Sequence, residues 1–384
     1  MSTVRTRLTA LVVAGFTAAT VAACSAPTDS SSSSSSTNSS GGSAGAAVDA
    51  KTATSAKDFG SMDKLVEAAK KEGALNVIAL PPDWANYKEI LDGFKAKYPE
   101  IKITSAQPDA SSADEIAAAK RLKGQGTAPD VFDLGSAVAL TNTAMFAPYK
   151  VESFDKIPAE NKEATGLWVN DYAGMMTVGY DSAKVPAPTS LADLLKPEYK
   201  GKVALNGDPT KAGSAFGAVQ MVAINEGGTV DDPTKAIDYF KKLKAAGNFL
   251  PVDPTPATIE SGQTPVVFDW SYNQTAIPAK VKTWKLWAPP KALKTYYNQA
   301  INKDAPHPAA ARLFQEYLFS AAGQNAWLKG GATPVLMDAM TADGTIDKAA
   351  AAALPKAGEV TVPTPDETDK AKSKLATAWP AAMG

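Results

Sequence analysis

Aspartate and tryptophan stand side by side at two places in this chain, Asp83-Trp84 and Asp269-Trp270. A carboxylate supplies the charge opposite to an ammonium group, and an aromatic face near that ammonium contributes roughly 0.5–2 kcal/mol. Such pairs suit the binding of a compact organic cation. They can act together only if the fold brings them together, so the elements that carry them have to be identified.

Residue counts exclude several kinds of chemistry. His307 is the only histidine and lies between two prolines, and Cys24 is the only cysteine. We therefore expect no Cys–His or Ser–His–Asp arrangement, no zinc site of the usual ligands and no internal disulfide. The chain has no glycine-rich phosphate loop and no dinucleotide-binding motif, so no cofactor or metal is expected. An enzyme that uses two carboxylates remains compatible with the counts.

The charge of the chain is balanced, with 39 basic and 40 acidic residues. Nucleic-acid binding would require a basic stripe, so no nucleic acid is expected as a partner. Beyond the N-terminal segment the only arginines are Arg121 and Arg312. This scarcity argues against a ligand held by arginine clamps, such as sulfate, phosphate or a dicarboxylate.

The first 24 residues have the composition of an export signal. A short basic start is followed by an apolar run from Leu8 to Ala23, which is too short for a comfortable membrane span of about 20 residues. The ending Val21-Ala22-Ala23-Cys24 resembles the lipobox of bacterial lipoproteins. This resemblance implies that residues 1–23 are a lipoprotein signal peptide and that Cys24 carries a lipid. An ordinary secreted protein is the alternative.

Residues 24–54 are rich in serine and glycine and include an unbroken serine run from Ser30 to Ser36. Such a composition buries too little apolar surface to offset the entropy of ordering, which predicts a flexible tether. The remaining body of about 330 residues is larger than one hydrophobic core, which predicts two lobes.

Helices and strands alternate along this body. Ser61 is a suitable cap for an amphipathic helix that ends at Gly73, and the apolar run at residues 74–80 is typical of a buried strand. Repeated strand–helix–strand units predict parallel sheets with helices on both faces. Each loop after the carboxyl end of a strand is then a candidate for ligand contact.

Four segments, in order, resemble extracellular solute-binding proteins of ABC importers: residues 75–103, 128–133, 189–205 and 302–327. The third segment, TSLADLLKPEYKGKVAL, is the most specific of them. The resemblance covers most of residues 74–335. It is to the two-lobed class that includes polyamine-, ferric- and aminoethylphosphonate-binding members.

The resemblance implies an α/β, class II periplasmic-binding-protein-like fold, in which each lobe is a mostly parallel sheet flanked by helices. Crossover strands near residues 175–180 and 296–302 would join the lobes as a hinge. The expected boundaries are 55–176 for the first part of lobe 1, 177–294 for lobe 2 and 295–384 for the return to lobe 1. The C-terminal tail is expected to pack on lobe 1, with Trp379 as an anchor.

The function that the resemblance implies is a membrane-anchored receptor of an ABC importer. Such a receptor closes its hinge around a small solute, because the closed state gains contacts that the open state lacks. It then delivers the solute to permease subunits. The expected location is the outer face of the cytoplasmic membrane, and the receptor is expected to act as a monomer without catalysis.

Candidate ligand contacts in lobe 1 lie in the loops after two strands and just before the first crossing. The set is Trp84, Asn86, Tyr87, Asp133, Ser136, Trp168, Asp171 and Tyr172. Tyr87 also fits the core face of the helix that begins near it, and Asp133 could instead cap the helix that follows.

Candidate contacts in lobe 2 are Asp208, Thr210, Lys211, Ser214, Asp269, Trp270 and Tyr272. Thr210 and Ser214 precede a helix whose free amide groups favour an anion, although the same side chains could simply cap it. By resemblance, Asp208 and Trp270 fall where polyamine binders hold their ligand. Ferric binders have adjacent tyrosines at the second of these places. Here the pair Tyr296-Tyr297 occurs later in the chain.

These residues predict a polyamine-like organic cation as the solute. A phosphonate or zwitterion, or ferric iron on the same fold, remains an alternative. A surface lipoprotein with a hydrolase or structural role is the alternative from another class.

Overall fold

A computed structural model describes residues 49–354 and 359–384. The predicted signal peptide, Cys24 and most of the predicted tether therefore lie outside the described residues. Nothing in the structure bears on them.

Eleven strands occur in the described residues: β1 Ala74–Ile78, β2 Lys102–Ala106, β3 Val131–Gly135, β4 Phe146–Ala147, β5 Val169–Asp181, β6 Val203–Leu205, β7 Val266–Trp270, β8 Trp284–Trp287, β9 Lys291–Asn302, β10 Thr333–Pro334 and β11 Glu359–Thr361. Thirteen α-helices accompany them: α1 Met62–Glu72, α2 Tyr87–Lys97, α3 Ser112–Arg121, α4 Ser136–Ala139, α5 Gly213–Asn225, α6 Thr234–Ala245, α7 Pro256–Glu260, α8 Ser271–Thr275, α9 Pro308–Leu318, α10 Ala321–Lys329, α11 Met337–Asp343, α12 Lys348–Ala352 and α13 Pro365–Met383.

Local sequence signals explain where the first helix begins and ends. The Ser61 hydroxyl accepts a hydrogen bond from the Lys64 amide at 3.3 Å, so it satisfies one of the free amides of the first turn of α1. Gly73 ends the helix with φ 68°, a left-handed conformation that glycine adopts without steric cost. Both ends were predicted from the sequence and are confirmed.

Strand β5 belongs to two sheets and therefore crosses from one half of the molecule to the other. Its first part is antiparallel to β9 as far as the pair Met175–Lys294. From the pair Met176–Trp270 onward it is antiparallel to β7 instead. The change of partner lies at the start of the predicted crossover segment, residues 175–180.

We call the elements that pack with the β3–β9–β5 pairing the first lobe, and those that pack with the β5–β7–β6 pairing the second lobe. The α/β fold with two lobes is confirmed. The sheets are mixed rather than mostly parallel, because β5 and β9 run between the lobes and oppose their neighbours. The parallel pairs are β1–β2, β6–β7 and β9–β11.

Helix α5 is the core helix of the second lobe. All of its residues from Ser214 to Ile224 are buried, because it packs between the sheet and α6. An apolar sequence on every face is what such a position requires. The burial of α5 fixes its first residues, Gly213 and Ser214, at the boundary between the lobes.

The prediction that Trp379 anchors the C-terminal tail to the first lobe is wrong, although α13 itself contacts both α4 of the first lobe and α6 of the second. Helix α13 lies against α6 of the second lobe, and the Trp379 ring meets Phe240 edge-on at 5.3 Å. The reason is that Phe240 belongs to the apolar face of α6, and Trp379 covers that face.

Within residues 49–354 and 359–384, no helix combines the length and the apolar composition needed to cross a membrane.

Candidate functional site

Aromatic side chains from the two lobes meet at the carboxyl ends of β1 and β7. The Trp84 ring, in the loop after β1, lies 5.5 Å from the ring of Tyr272, which lies in α8 directly after β7. Trp84 also lies edge-on to Tyr297 of β9 at 5.6 Å. We call the set around this contact the central cluster: Trp84, Tyr87, Asp133, Asp171, Tyr172, Asp269, Trp270, Tyr272 and Tyr297.

Asp133 is the acidic centre of the cluster on the first lobe. Its Oδ2 accepts hydrogen bonds from the hydroxyls of Tyr87 at 2.8 Å and Tyr172 at 2.9 Å. Its Oδ1 is buried and accepts no hydrogen bond from a basic, amide or hydroxyl group among the described residues. Asp133 does not cap the next helix, because Gly135 holds that position in α4. The alternative that Asp133 is merely a cap is therefore wrong.

Burial controls the protonation of the three acids near this point. Loss of hydration raises the pKa of Asp133 to about 6, although its hydrogen bonds with Tyr87, Tyr172 and the Asp171 carboxyl act in the opposite direction. Burial raises the pKa of Asp171 well above its usual value, and the adjacent Asp133 carboxylate raises it further. The pKa of Glu115 is raised for the same two reasons. Of the three acids, Asp133 is the one whose carboxylate is stabilised by hydrogen bonds from two phenols.

Asp269 is the corresponding acid on the second lobe. Its Oδ1 accepts hydrogen bonds from the Ser214 hydroxyl at 2.6 Å and the Trp270 amide at 2.7 Å, and Asn273 donates to both carboxylate oxygens at 3.1 Å. Burial raises the pKa of Asp269, and these donors oppose the shift. The Ser214 hydroxyl at the start of α5 is therefore engaged by a carboxylate of the protein itself.

The rings of the cluster form a continuous wall between these acids. Tyr172 stacks on Tyr297 with centroids 5.7 Å apart and meets Tyr272 edge-on at 5.4 Å. The Trp84 indole donates to the Tyr172 hydroxyl at 2.6 Å. Burial raises the pKa of the Tyr172, Tyr272 and Tyr297 phenols well above their usual value, so these side chains are neutral hydrogen-bonding groups.

Two glycines permit the close approach of the lobes. A Cβ atom on Gly174, in the β5 crossing, would lie 2.5 Å from a ring carbon of Tyr272. A Cβ atom on Gly135 would lie 3.0 Å from the Cα atom of Gly213, at the start of α5. Larger residues at these positions would hold the lobes apart.

A cavity of about 320 Å³ adjoins the central cluster. Ser136 and Trp168 line it from the first lobe, and Gly213 and Trp270 line it from the second. Trp270 and Tyr297 belong both to its wall and to the central cluster. The cavity and the cluster are thus two parts of one interlobe region.

Most of the predicted site residues fall in this region. Trp84, Tyr87, Asp133, Asp171, Tyr172, Asp269, Trp270 and Tyr272 are in the cluster, Ser214 bonds to it, and Ser136 and Trp168 line the cavity. Tyr87 also belongs to the core face of α2, so both interpretations of this residue hold.

Four predicted residues lie elsewhere. The Asn86 side chain donates to the Ala326 carbonyl at 2.8 Å and so ties the start of α2 to α10. Asp208 and Lys211 are exposed, and Asp208 accepts from the amide and hydroxyl of Thr210 at 2.9 and 2.8 Å. Asp208, Thr210 and Lys211 stabilise the turn before α5. Neither these residues nor Asn86 reach the central cluster.

Sequence reasoning missed three contributors. Tyr297 was noted only as half of a tyrosine pair, Asn273 donates to Asp269, and Gln299 donates to Tyr87 and Asp171 at 2.9 Å each. Tyr297 and Gln299 are two residues apart on β9, and side chains at that spacing share one face of a strand. The alternation along β9 was the signal that could have identified them.

Groups of three or more histidine, cysteine, aspartate or glutamate side chains placed to hold a metal ion are absent from the described part of the chain. The side chains that the region does bring together are buried carboxylates, phenols and indole rings. Such a set binds a solute through charge, hydrogen bonds and aromatic faces.

The arrangement of two lobes around such a region agrees with sequence comparison. The pattern of the family described as bacterial extracellular solute-binding protein matches residues 129–370, more than half of the chain. The chain belongs to this family. Comparison of this solute-binding protein with curated proteins gives no match.

Solved structures with the same fold include two periplasmic binding proteins and an iron-bound protein. The periplasmic binding protein P5PA is 18% identical with a TM-score of 0.64, and the match covers 81% of this chain and 100% of P5PA. AfuA from Actinobacillus pleuropneumoniae, with fructose-6-phosphate bound, is 17% identical with a TM-score of 0.62, covering 81% and 98%. Iron-bound HitA from Pseudomonas aeruginosa is 20% identical with a TM-score of 0.57, covering 81% and 99%.

These comparisons define the class of this protein but not its solute. By its family it is a bacterial extracellular solute-binding protein. The neighbours hold different ligands, a sugar phosphate in AfuA and iron in HitA. At these identities the likeness extends to the fold alone.

Proposed function

We propose that this receptor captures a compact organic cation of the polyamine type. The observation that supports this most strongly is the pair of buried acids on opposite lobes, Asp133 and Asp269. Among the described residues, no lysine, arginine or histidine lies within ion-pair distance of either acid. An ammonium group would supply the missing positive charge.

The physical reason is the cost of burying charge. An ionised carboxylate removed from water loses several kcal/mol of hydration unless a partner compensates. The Oδ1 of Asp133 has no basic, amide or hydroxyl donor among the described residues, and an ammonium N–H would supply one. Trp84, Trp270 and Tyr272 would add aromatic faces to the methylene and ammonium groups. A cation bound by acids from both lobes would favour the state in which the lobes are together, because only that state offers it both partners.

The location proposed for the receptor is the outer face of the cytoplasmic membrane, with Cys24 as a lipid anchor. The support is the sequence alone, namely the basic start, the apolar run and the small residues before Cys24. We propose that the protein acts there as a monomer without turnover. Replacing Cys24 by Ala should release it from the membrane fraction of cells, and retention of the variant there would argue against the anchor.

A thermal-shift panel tests the choice of solute. A ligand that binds only the folded state at a hundredfold excess over Kd adds about 2.7 kcal/mol to the free energy of unfolding. Putrescine and spermidine should raise the melting temperature at pH 7.5, while aminoethylphosphonate and fructose-6-phosphate should not. A shift with the phosphonate and none with the amines would reject the cation. Detection of a converted product would reject the receptor role.

Ferric iron is a second candidate, and one observation favours it. The phenols of Tyr172, Tyr272 and Tyr297 pack against one another beside Asp133, and such oxygens can bind iron when deprotonated. Their raised pKa values oppose this, because iron would have to displace the protons. A visible absorption band on adding ferric citrate would support iron and reject the amine.

An anionic solute is less well supported. The hydroxyl that would bind it at the start of α5, that of Ser214, already donates to Asp269. A phosphonate placed there would meet the Asp269 carboxylate, and like charges repel.

A further inference from the structure

The C-terminal residues 359–384, which we call the C-terminal strap, run along the outer side of the interlobe cavity. Strand β11 is parallel to the start of β9, with Thr361 opposite Leu293. The chain then passes over the cavity, where Val362, Thr364 and Thr368 form part of the wall. Helix α13 begins at Pro365, within this wall, and continues across the second lobe.

The strap is held firmly to the second lobe. Besides the contact of Trp379 with Phe240, the Lys374 ammonium lies 3.3 Å from the Asp232 carboxylate. At the end of the helix, the Lys244 ammonium donates to the Met383 carbonyl at 3.0 Å. These contacts would move α13 with the second lobe as the hinge opens.

The side chain of Lys372 reaches from α13 back to the first lobe. Its ammonium donates to the Ala137 carbonyl, in α4, and to the Thr141 hydroxyl at 2.8 Å. Lys372 is half-buried, and burial lowers the pKa of its ammonium group. The contact exists only while the lobes are together, because the two ends of it belong to different lobes.

We propose that the C-terminal strap is a specificity-determining part of the solute site, which closes the outer side of the cavity and limits solute length while Lys372 holds it to the first lobe. This inference rests on the proposed binding of an amine in the interlobe region. Solutes that fit the cavity of about 320 Å³ are retained, and longer ones are excluded. The wall that the strap supplies is uncharged at Val362, Thr364 and Thr368, which suits the methylene chain of a diamine.

The test compares two lysine variants of the full chain. Lys372→Met removes the ammonium but keeps the aliphatic stem, and Lys370→Met is the matched control, because Lys370 is exposed on the same helix. We expect Lys372→Met to speed putrescine dissociation about tenfold, the effect of losing a charged hydrogen bond, and to improve spermidine binding relative to putrescine. Lys370→Met should change neither quantity.

A second measurement does not depend on the solute. Hydrogen exchange of the ligand-free protein should show faster exchange at residues 365–372 in Lys372→Met than in Lys370→Met. Unchanged dissociation and unchanged exchange in Lys372→Met would overturn the role of the strap. If no amine binds the wild-type protein, the proposed function fails, and the exchange measurement still decides whether Lys372 fastens the strap.

Discussion

The hydroxyl of Tyr172 donates a hydrogen bond of 2.9 Å to Asp133, and it does so from the strand that crosses between the lobes. Asp133 lies near the end of β3, so this hydrogen bond joins the crossing strand β5 to β3. Tyr172 also touches Tyr272 of the second lobe. A change in the packing of the two lobes would therefore alter the hydrogen bond between Tyr172 and Asp133.

Removing that hydroxyl should weaken the receptor without unfolding it. Tyr172→Phe keeps the ring packing but takes a donor from the ionised form of Asp133, so the pKa of Asp133 should rise further above 6. We expect the affinity for putrescine at pH 7 to fall about tenfold, since a hydrogen bond to a charged group contributes roughly 1.5–3 kcal/mol. Isothermal titration calorimetry measures this affinity. Tyr98→Phe, which packs on Phe94 outside the cluster, is the control and should bind as the wild type does.

Solute affinity should depend on pH through Asp133. The carboxylate must be ionised to bind a cation, and its pKa is about 6 in the folded protein. At pH 5 only about a tenth of the molecules would carry that charge, so the Kd for putrescine should be about tenfold higher than at pH 7. An affinity that is the same at pH 5 and pH 7 would show that Asp133 does not contact the solute.

The raised pKa of Asp133 lowers the stability of the ligand-free protein as pH rises, whereas it increases solute affinity over the same change. A carboxyl whose pKa is higher in the folded than in the unfolded state holds more protons when folded, so its contribution to stability falls as pH rises from about 4 to about 6. Asp133→Asn has no carboxyl to ionise at this position, so the variant should not lose this stability as pH rises. The free energy of unfolding of the variant minus that of the wild type should increase across this pH range, by on the order of 1–3 kcal/mol, in urea titrations. A constant difference would contradict the raised pKa.

Closure should be sensitive to one added methyl group at the crossing strand. Gly174→Ala places a Cβ atom 2.5 Å from the Tyr272 ring, so the closed state is strained while an open state relieves the contact. We expect putrescine affinity to fall about tenfold or more, because overpacking of this kind costs roughly 1–3 kcal/mol. Gly126→Ala is the control, since nothing lies within 4 Å of its added atom. Equal affinities in the two variants would show that the contact between residue 174 and Tyr272 does not form on closure.

The acid of the second lobe should matter for binding but not for folding. Asp269→Asn keeps a side chain of the same shape beside Ser214 and removes a buried charge that lacks a basic partner among the described residues. The melting temperature of the ligand-free variant should be equal to that of the wild type or higher. Its affinity for putrescine should fall by roughly one to two orders of magnitude, the effect of losing a charged partner. Unchanged affinity would exclude Asp269 from the site.

Much of the fold could be predicted because local signals and topology agree. Ser61 and Gly73 mark the ends of α1, and the loops after β1 and β7 carry the residues that meet between the lobes. The directions of β5 and β9 could not be derived from strand–helix alternation, since both strands run between the lobes. The position of Trp379 depends on which apolar helix face is left uncovered, and that is decided by the whole fold.

The sequence allowed several residues of the candidate site to be identified, but not the hydrogen bonds that they form. Asp133 and Asp269 were identified because they lie near the ends of buried strands. That Ser214 would bond to Asp269 rather than to a ligand depends on a contact between residues 55 positions apart. Asp208, Thr210 and Lys211 were equally good candidates in the sequence, yet they satisfy one another in a surface turn.

The central claim is that a cationic solute supplies the charge that Asp133 lacks, and titration calorimetry with putrescine at pH 7.5 tests it most directly. The wild-type protein should bind with one site, Asp133→Asn should bind at least about a hundredfold more weakly, and the exposed control Asp109→Asn should match the wild type. Binding by Asp133→Asn as tight as that of the wild type, or no binding by the wild-type protein to putrescine or spermidine, would contradict the claim.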